Sequence, residues 1–343
     1  MNALYFNEHG DLSKLRYGHI PDPTPAAEEV VVKVKACAIN HLDLWVLRGW
    51  PELELDMPHI GGADIAGEVA ELGGDVTGWG IGTKVVVNPG FTTAEDEWTR
   101  KGEESLSPHY HIFGESRRGG FAEYVSVPSE NLLVMPDGVS FVEAAAPQLV
   151  LLTAWRMLRH RAGLQHGETV LIVGAGGGVN SISIQLAKLM GASVIALTSS
   201  EEKMKKSKTL GADHVVNYRA YPEWSKRIKH LTHGRGVDVV VDNVGDNTIN
   251  QSIRAVCRGG RIVTIGNTSG PDLRIDNRYI FTKQISIIGS TMGSNKDFSD
   301  AMETVWSKKI RPVIDRELPL KDGVEAYRIL RDGEQFGKVV LIP

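Results

Sequence analysis

Between residues 169 and 290 the chain repeats one pattern, and that pattern leaves few folds open. Runs of consecutive apolar residues alternate with stretches of helical rhythm: TVLIVG (169–174) before ISIQLAKLMG, SVIAL (193–197) before EEKMKKSKTLG, and HVVNY (214–218) before WSKRIKHLT. DVVVDNVG (238–245) precedes NTINQSIRAVC, and RIVTIG (261–266) and ISIIGS (285–290) close the series. A strand that is apolar at nearly every position is buried on both faces, so helices must cover both sides of its sheet. Right-handed crossovers then give a parallel, doubly wound α/β sheet. The pattern predicts this domain over 151–291.

The rest of the chain has a different texture. Residues 1–150 carry short β-branched runs bounded by Gly or Pro: VVVKVKA (30–36), IAGEVAEL (65–72), TKVVVNPG (83–90) and FAEYVSVP (121–128). Helical rhythm is scarce, so a mostly β domain is expected. Residues 91–118 read as an ordered excursion from it. Residues 292–343 show one helix, AMETVWSKK, and a final strand, GKVVLIP, which can return to the first domain's sheet. The α/β domain would then be an insertion. A length of 343 residues fits two cores better than one.

The net charge is -4, with Lys and Arg scattered, so no nucleic acid partner is expected. The most apolar run, AAAPQLVLLTAW (144–155), is too short to span a bilayer, and the first residues lack the pattern of a signal peptide. Cys37 and Cys257 lie far apart and suggest no disulfide scaffold. A cytoplasmic protein acting on a small molecule is the expectation.

The sharpest local signal is TVLIVGAGGGVNSISIQLAKLMGASVIAL, a strand, a glycine-rich turn, a helix and a second strand. Gly174, Gly176, Gly177 and Gly178 permit positive φ and close approach of a pyrophosphate. The helix start at Val179–Asn180 offers that phosphate free N–H groups and the positive end of the dipole. From Ala175 the segment reads A-x-G-x-x-N rather than G-x-G-x-x-G, and Asn180 should push the helix slightly off the strand. An NAD enzyme usually carries Asp or Glu at the end of the second strand. Here that place reads Leu197-Thr198-Ser199-Ser200, with Lys203 one helical turn on. Hydroxyls and an ammonium suit a 2′-phosphate, so NADPH is favoured over NADH. Glu201 and Glu202 read as helix-start residues.

These features, together with ACAINHLDLWVLRG (36–49), PHIGGADIAGEV (58–69), GGFAEYVSVP (119–128), EAAAPQLVLLTAWRML (143–158), GADHVVNY (211–218), GVDVVVDNVG (236–245) and the terminal FGKVVLIP, resemble the medium-chain dehydrogenase/reductase superfamily, within it the zinc-free, quinone-oxidoreductase-like branch. The resemblance implies a GroES-like catalytic domain, a Rossmann domain and a nicotinamide held in a cleft between them. It also implies a homodimer or homotetramer, for which the apolar run QISIIGS (284–290) offers an uncharged edge. Asn40 and Asp43 match the branch's N-x-x-D motif. Thr153 matches a position near the nicotinamide ring, and Lys203 and Tyr218 match residues around the 2′-phosphate. Gly266, Asn267 and Thr268 fall where backbone groups meet the carboxamide. Asn243 and Lys338 are counted with the same cofactor-binding set. Local alternatives stay open: Asn40 as the cap of a helix starting at His41, Thr153 in a helical turn, Tyr218 as filling at a sheet edge.

Zinc-dependent relatives hold a catalytic ion with Cys, the His of G-H-E, and a third Cys or Asp. This chain has Asn40, Gly62-Ala63-Asp64 and, near the third place, Val150. Ala and Val cannot ligate a metal. The relatives' structural zinc needs four cysteines within 91–113, where this chain has none. Cys37, His41, His59 and Asp64, or the pair His109 and His111, have poor ligand count and spacing, so no metal is expected.

Hydride transfer to a quinone or an α,β-unsaturated carbonyl needs less electrostatic help than alcohol oxidation, because the charge spreads over a conjugated system. The expected activity is NADPH-dependent reduction of such an acceptor. Asn40 would orient the nicotinamide end or the substrate carbonyl, and Asp43 would fix local geometry. Trp45 and Trp50 would flank a flat substrate. No convincing proton donor emerges, with Asp64 a weak candidate beside water. Two alternatives remain: an alcohol dehydrogenase with a rebuilt zinc site, and a non-catalytic NADPH-binding sensor.

Overall fold

The computed structural model describes all 343 residues, Met1–Pro343. In chain order it begins with strands β1 (Asn2–Tyr5), β2 (Arg16–His19) and β3 (Glu29–Ala38), then helix α1 (His41–Arg48). Strands β4 (Asp64–Leu72), β5 (Lys84–Val87), β6 (Gly90–Thr92), β7 (Tyr110–Ile112), β8 (Tyr124–Pro128) and β9 (Leu132–Val134) follow. After α2 (Phe141–Ala145) and α3 (Gln148–Trp155) comes the alternating series: β10 (Thr169–Val173), α4 (Gly178–Leu189), β11 (Ser193–Thr198), α5 (Glu201–Thr209) and β12 (His214–Asn217). It continues with α6 (Trp224–Leu231), β13 (Val237–Asp242), α7 (Asp246–Ala255), β14 (Val256–Thr264), α8 (Asn277–Lys283) and β15 (Ser286–Gly289). The chain closes with α9 (Asn295–Trp306), β16 (Ile314–Pro319), α10 (Gly323–Asp332) and β17 (Lys338–Ile342).

Two compact units result: Met1–Leu149 with Gly293–Pro343, and Val150–Met292. The second is a six-stranded parallel sheet in the order β12-β11-β10-β13-β14-β15. Every residue of β13 is buried, as a strand covered on both faces requires. Leu171, Ile195, Val240 and Ile262 of the central strands, with Ile228 of α6 and Ile253 of α7, form its core.

The first unit is built on a seven-stranded sheet, ordered β16-β17-β3-β4-β5-β9, with β8 also on β3. The terminal strand does come back: Val340 and Leu341 pair antiparallel with Ala38 and Cys37. The stretch after residue 292 holds more than the one helix and one strand expected there, since β16 and α10 lie between them. Helix α10 buries Ala326, Tyr327, Ile329 and Leu330 on one face and ends at Gly333 in the left-handed region. Its amphipathic spacing and C-terminal glycine were readable signals. The excursion after residue 90 is pinned by the β6–β7 ribbon. No helix is long and apolar enough to cross a membrane.

Candidate functional site

The turn after β10 is built around Gly174, the one glycine of the run with positive φ, +78°. Its N–H and that of Ala175 both donate to Leu197 O of β11, at 3.0 and 2.9 Å. Gly177 has φ -73° and precedes the helix, and a Cβ there would lie 3.8 Å from Gly174 O. Of the four glycines expected to permit positive φ, only Gly174 uses it, so that part of the expectation is corrected for Gly176, Gly177 and Gly178; at Gly177 the expected room for close approach is present. Beyond Gly177, the first N–H groups of α4, those of Gly178, Val179 and Asn180, have no intrahelical acceptor. A short, unobstructed turn ending in such donors fits a dinucleotide pyrophosphate.

Asn180 is bonded on both sides of the turn. Its Nδ2 donates to Val173 O at 2.7 Å and Gly174 O at 3.0 Å, tying helix to strand. Its Oδ1 accepts from Asn243 Nδ2 at 3.0 Å, and Asn243 Oδ1 accepts from Ile265 N–H at 2.9 Å. The side-chain amide of Asn243 thus clamps the ends of three neighbouring strands, so the scaffold uses it rather than leaving it free to reach a ligand. Gly266, Asn267 and Thr268 follow β14 in a loop that Thr264 Oγ1 holds through Gly266 O (3.0 Å) and Asn267 O holds through the Gly270 N–H (2.9 Å). Thr153 is buried in α3, its hydroxyl 3.9 Å from Met292 Sδ.

At the end of β11, Ser200 caps α5 by accepting the Lys203 N–H at 3.2 Å. The Tyr218 N–H donates to Thr198 O at 2.9 Å, and the Tyr218 side chain is exposed. Ser199, Ser200, Lys203 and Tyr218 therefore gather at the carboxyl ends of two adjacent strands. Glu202 pairs with Lys206 at 2.9 Å along α5.

The first unit gathers a different set. Strands β17, β3 and β4 are neighbours, and their register brings Lys338, Asn40 and Asp64 to one end of the sheet. Lys338 Nζ donates to Asp64 Oδ2 at 2.8 Å and to Asn40 Oδ1. Asn40 Nδ2 donates to Asp64 Oδ2 at 3.0 Å and, more weakly, to Ala38 O at 3.4 Å. Asp64 Oδ1 accepts the Leu149 N–H at 2.8 Å. All three side chains are buried.

Four sequence expectations change here. Asn40 precedes α1 and shares a capping box with Asp43 at the helix start, while its side chain also bonds Lys338 and Asp64, and both of its N–H bonds are engaged. It cannot donate to a substrate carbonyl. Asp64 accepts from an ammonium, an amide and a backbone N–H, so both of its oxygens are occupied within the cluster and neither is turned to a substrate. Trp50 lies exposed just past Gly49, the end of α1, and is not part of this cluster. Lys338 was expected to touch cofactor; its position in the sheet makes it the centre of this polar group.

Asp43 accepts from the Asn40 N–H at 2.7 Å and the Gly62 N–H at 2.8 Å, which ties α1 to the turn before β4. Burial pushes its carboxyl up to about 7. Gly62 has φ +96°, and a Cβ there would press on the Phe121 ring and Cys37 Sγ at 2.7 and 2.8 Å. Burial raises the Cys37 thiol well above its ordinary value, so it packs as a small hydrophobe. Burial, with the nearby Lys338 charge, lowers the His41 imidazole. Gln148 went unnoticed in sequence: its amide bonds Ile65 on both sides, N–H at 2.9 Å and C=O at 2.8 Å, and so fixes the start of β4. A lone Gln inside AAAPQLVLL was the available signal.

The donor set does not fit zinc. One carboxylate and one amide already surround an ammonium, whose charge repels a divalent ion, and no group of three or more His, Cys, Asp or Glu is arranged to hold a metal. Cys37, His41, His59 and Asp64 form no such set.

Residues 26–137 match the family model of the alcohol dehydrogenase GroES-like domain, and residues 178–307 match that of zinc-binding dehydrogenases. The acryloyl-coenzyme A reductase of Sulfurisphaera tokodaii is 33% identical over 326 residues, covering 94% of this chain and 95% of that protein. An NAD-dependent alcohol dehydrogenase of the same organism is 31% identical with full coverage of both chains. Among solved structures, an NAD-dependent alcohol dehydrogenase superposes with a TM-score of 0.96 at 42% identity, over all of both chains.

Proposed function

Since the chain belongs to the medium-chain dehydrogenase/reductase superfamily of zinc-type alcohol dehydrogenase-like oxidoreductases, we propose that it is an NADPH-dependent reductase of conjugated carbonyl compounds that works without a metal. The observation that carries this reading is the ammonium–carboxylate–amide cluster of Lys338, Asp64 and Asn40, built around the one position, Asn40, that the resemblance aligns with a metal ligand and next to Ala63, which stands for the ligating His. A reaction that must stabilise a localised alkoxide is poorly served there, whereas charge delocalised over a conjugated acceptor needs only hydrogen-bond donors. The name of the acryloyl-coenzyme A reductase relative points the same way, to an unsaturated acyl thioester. The rebuilt-zinc alcohol dehydrogenase is disfavoured by the same donor set, although relatives bear that name.

When bound, NADPH supplies the hydride. Gly174 shapes the turn, and the N–H groups of Gly178 and Val179 receive the pyrophosphate. Ser199, Ser200, Lys203 and Tyr218 would hold the 2′-phosphate, with no carboxylate at the end of β11 itself and Glu202 paired with Lys206. Thr153, Gly266, Asn267 and Thr268 would hold the nicotinamide end. Asp43 keeps α1 and the Gly62 turn together, and water returns the proton.

The test is an NADPH-consumption screen over quinones, enones, aldehydes and enoyl thioesters, with and without chelator. Turnover of conjugated acceptors that survives the chelator is expected; activity on aldehydes alone, lost to the chelator, would reject the reading. Tight NADPH binding with no turnover would leave the sensor alternative standing. Replacing Lys203 by Ala should weaken NADPH about tenfold or more and leave NADH nearly unchanged, since one charge-assisted contact to phosphate is worth about 1.5–3 kcal/mol. Equal losses for both would remove the lysine from cofactor discrimination.

A second copy of the chain is the proposed partner. Strand β15 is an edge of the parallel sheet, and Ile287 on it is exposed without a charged neighbour on the strand. A monomeric mass by light scattering would reject this. Two free, buried thiols suit a cytoplasmic setting.

A further inference from the structure

The parallel sheet has a second polar end. The glycine turn follows the carboxyl end of β10, and a strand of five or six residues spans about 17–20 Å, so the amino ends of β13 and β14 lie well away from it. At those amino ends five cations meet two carboxylates. Arg235 pairs with Asp238, and Arg261 grips Glu168 through two bonds of 3.0 and 2.6 Å. Lys229 of α6, Lys283 of α8 and Arg258 of β14 have no carboxylate partner, and their hydrogen bonds go to backbone carbonyls. The three converge on the first residues of β14. Lys283 Nζ donates to Val256 O at 2.8 Å, and a Cβ on Gly236 would lie 2.8 Å from Lys229 Nζ and 3.0 Å from the Cys257 nitrogen. Arg258 comes next in the strand and donates to Thr282 O of α8 at 2.6 Å. Helix capping accounts for one of them: Lys283 gives all its N–H bonds to the carbonyls of Ile253, Arg254 and Val256, at 2.8, 3.1 and 2.8 Å, and so offsets the negative end of α7. It does not account for the others. Lys229 uses one of its three N–H bonds and Arg258 one of its five.

The crowding of positive charge is felt by the groups themselves. Burial, with the charges of Lys229 and Arg258, holds the Lys283 ammonium down to about 8, and burial with the Arg235 charge lowers that of Lys229. The place is open to solvent, since His233, Gly234, Arg235, Arg258 and Gly259 around it are all exposed. A chain whose net charge is -4 thus keeps an uncompensated positive surplus at one spot. We infer that the amino ends of β13 and β14 bind a phosphate group, with Arg258 and Lys229 supplying the hydrogen bonds and Lys283 supplying fixed charge. A planar guanidinium fork and an ammonium, both with unused N–H bonds, match the oxygens of a phosphate dianion. Its two negative charges offset most of the surplus. Free phosphate and the phosphate of an organic monoester share this chemistry. The site lies within one compact unit and is independent of the nicotinamide cofactor.

Isothermal titration calorimetry of the full chain with inorganic phosphate and with phenyl phosphate, in the absence of NADPH, tests this. Wild type should bind, and the double variant Lys229→Gln with Arg258→Gln should bind at least about tenfold more weakly, the loss expected when charge-assisted contacts are removed. Lys203→Ala, at the other end of the sheet, should leave this binding unchanged. Equal affinity for the two probes identifies free phosphate as the ligand, and tighter binding of phenyl phosphate identifies an organic monoester. The double variant keeps Lys283 and with it the cap on α7, so it should fold, and without phosphate it should melt no lower than wild type because repulsion is relieved. Should it unfold, Arg258→Gln alone, at an exposed position, must still weaken the binding. Phosphate binding that is lost in Lys203→Ala and kept in the double variant would assign the anion to the glycine-turn end and overturn the inference. Absence of phosphate binding by wild type would overturn it as well. Because no step uses NADPH, a failure of the reductase reading leaves this result standing by itself.

Discussion

The two polar sites of this molecule are constructed in opposite ways. At the turn after β10 the donors belong to the backbone, and they stay available because a helix begins there. At the head of β17, β3 and β4 the donors and acceptors are side chains that satisfy one another almost completely. The first site is open to an anion that fits; the second is buried and closed by its own hydrogen bonds. An open backbone site tolerates much change in side chains but little in backbone conformation. A closed side-chain site should show the reverse.

The largest test of that contrast is a pair of glycine replacements three residues apart. Gly174 needs φ +78°, so Gly174→Val forces a β-branched residue into the left-handed region. The strain is about 1–3 kcal/mol, and any escape displaces the N–H groups of Gly174 and Ala175 from Leu197 O. NADPH affinity should fall by about two powers of ten and thermal stability should drop with it. Gly177→Ala needs no unusual φ, and its Cβ would meet nothing closer than 3.8 Å. That variant should melt like wild type and still bind NADPH more weakly, because the methyl group takes up room meant for phosphate. If the two variants lose stability equally, conformation does not distinguish them and the contrast fails.

The same contrast explains what the sequence disclosed. The parallel sheet was legible because six apolar runs recur with helices between them, a signal confined to short windows. The glycine turn was legible for the same reason. Its refinement was not: that Asn180 would bond both Val173 O and Asn243 depends on side-chain geometry between residues as far as 63 apart. The cluster of the first unit was less legible still. Asn40, Asp64 and Lys338 are brought together only by the pairing of three strands, one of them at the end of the chain. Family motifs flagged each residue separately. They gave Asn40 a donor's part that its bonds do not leave it, and Asp64 a substrate-facing part although both of its oxygens are occupied within the cluster. Helix α10 was overlooked although its pattern is local, because the terminal strand drew the reading to the last residues.

The smallest effect comes from Asp43, which belongs to the closed site yet is not saturated in charge. Its carboxyl accepts two backbone N–H bonds, which favour the ionised form, and Lys338 favours it too; burial and Asp64 oppose them, and burial dominates. The result is a folded-state pKa of about 7 against an ordinary value of 3.8. Between those values the folded chain holds a proton that the unfolded chain has released, so this group's contribution to stability is complete at low pH and is lost as pH rises through about 7. Wild type should therefore lose denaturant resistance relative to Asp43→Asn as pH is raised from 4.5 to 7.5, and the difference should level off above that. Asp43→Asn will itself be less stable at low pH, since an amide can accept only one of the two N–H bonds, but the slope and not the offset is the readout. Urea midpoints at several pH values measure it. Wild type gaining denaturant resistance relative to the variant as pH rises would mean that the two N–H bonds and Lys338 outweigh burial at this carboxylate.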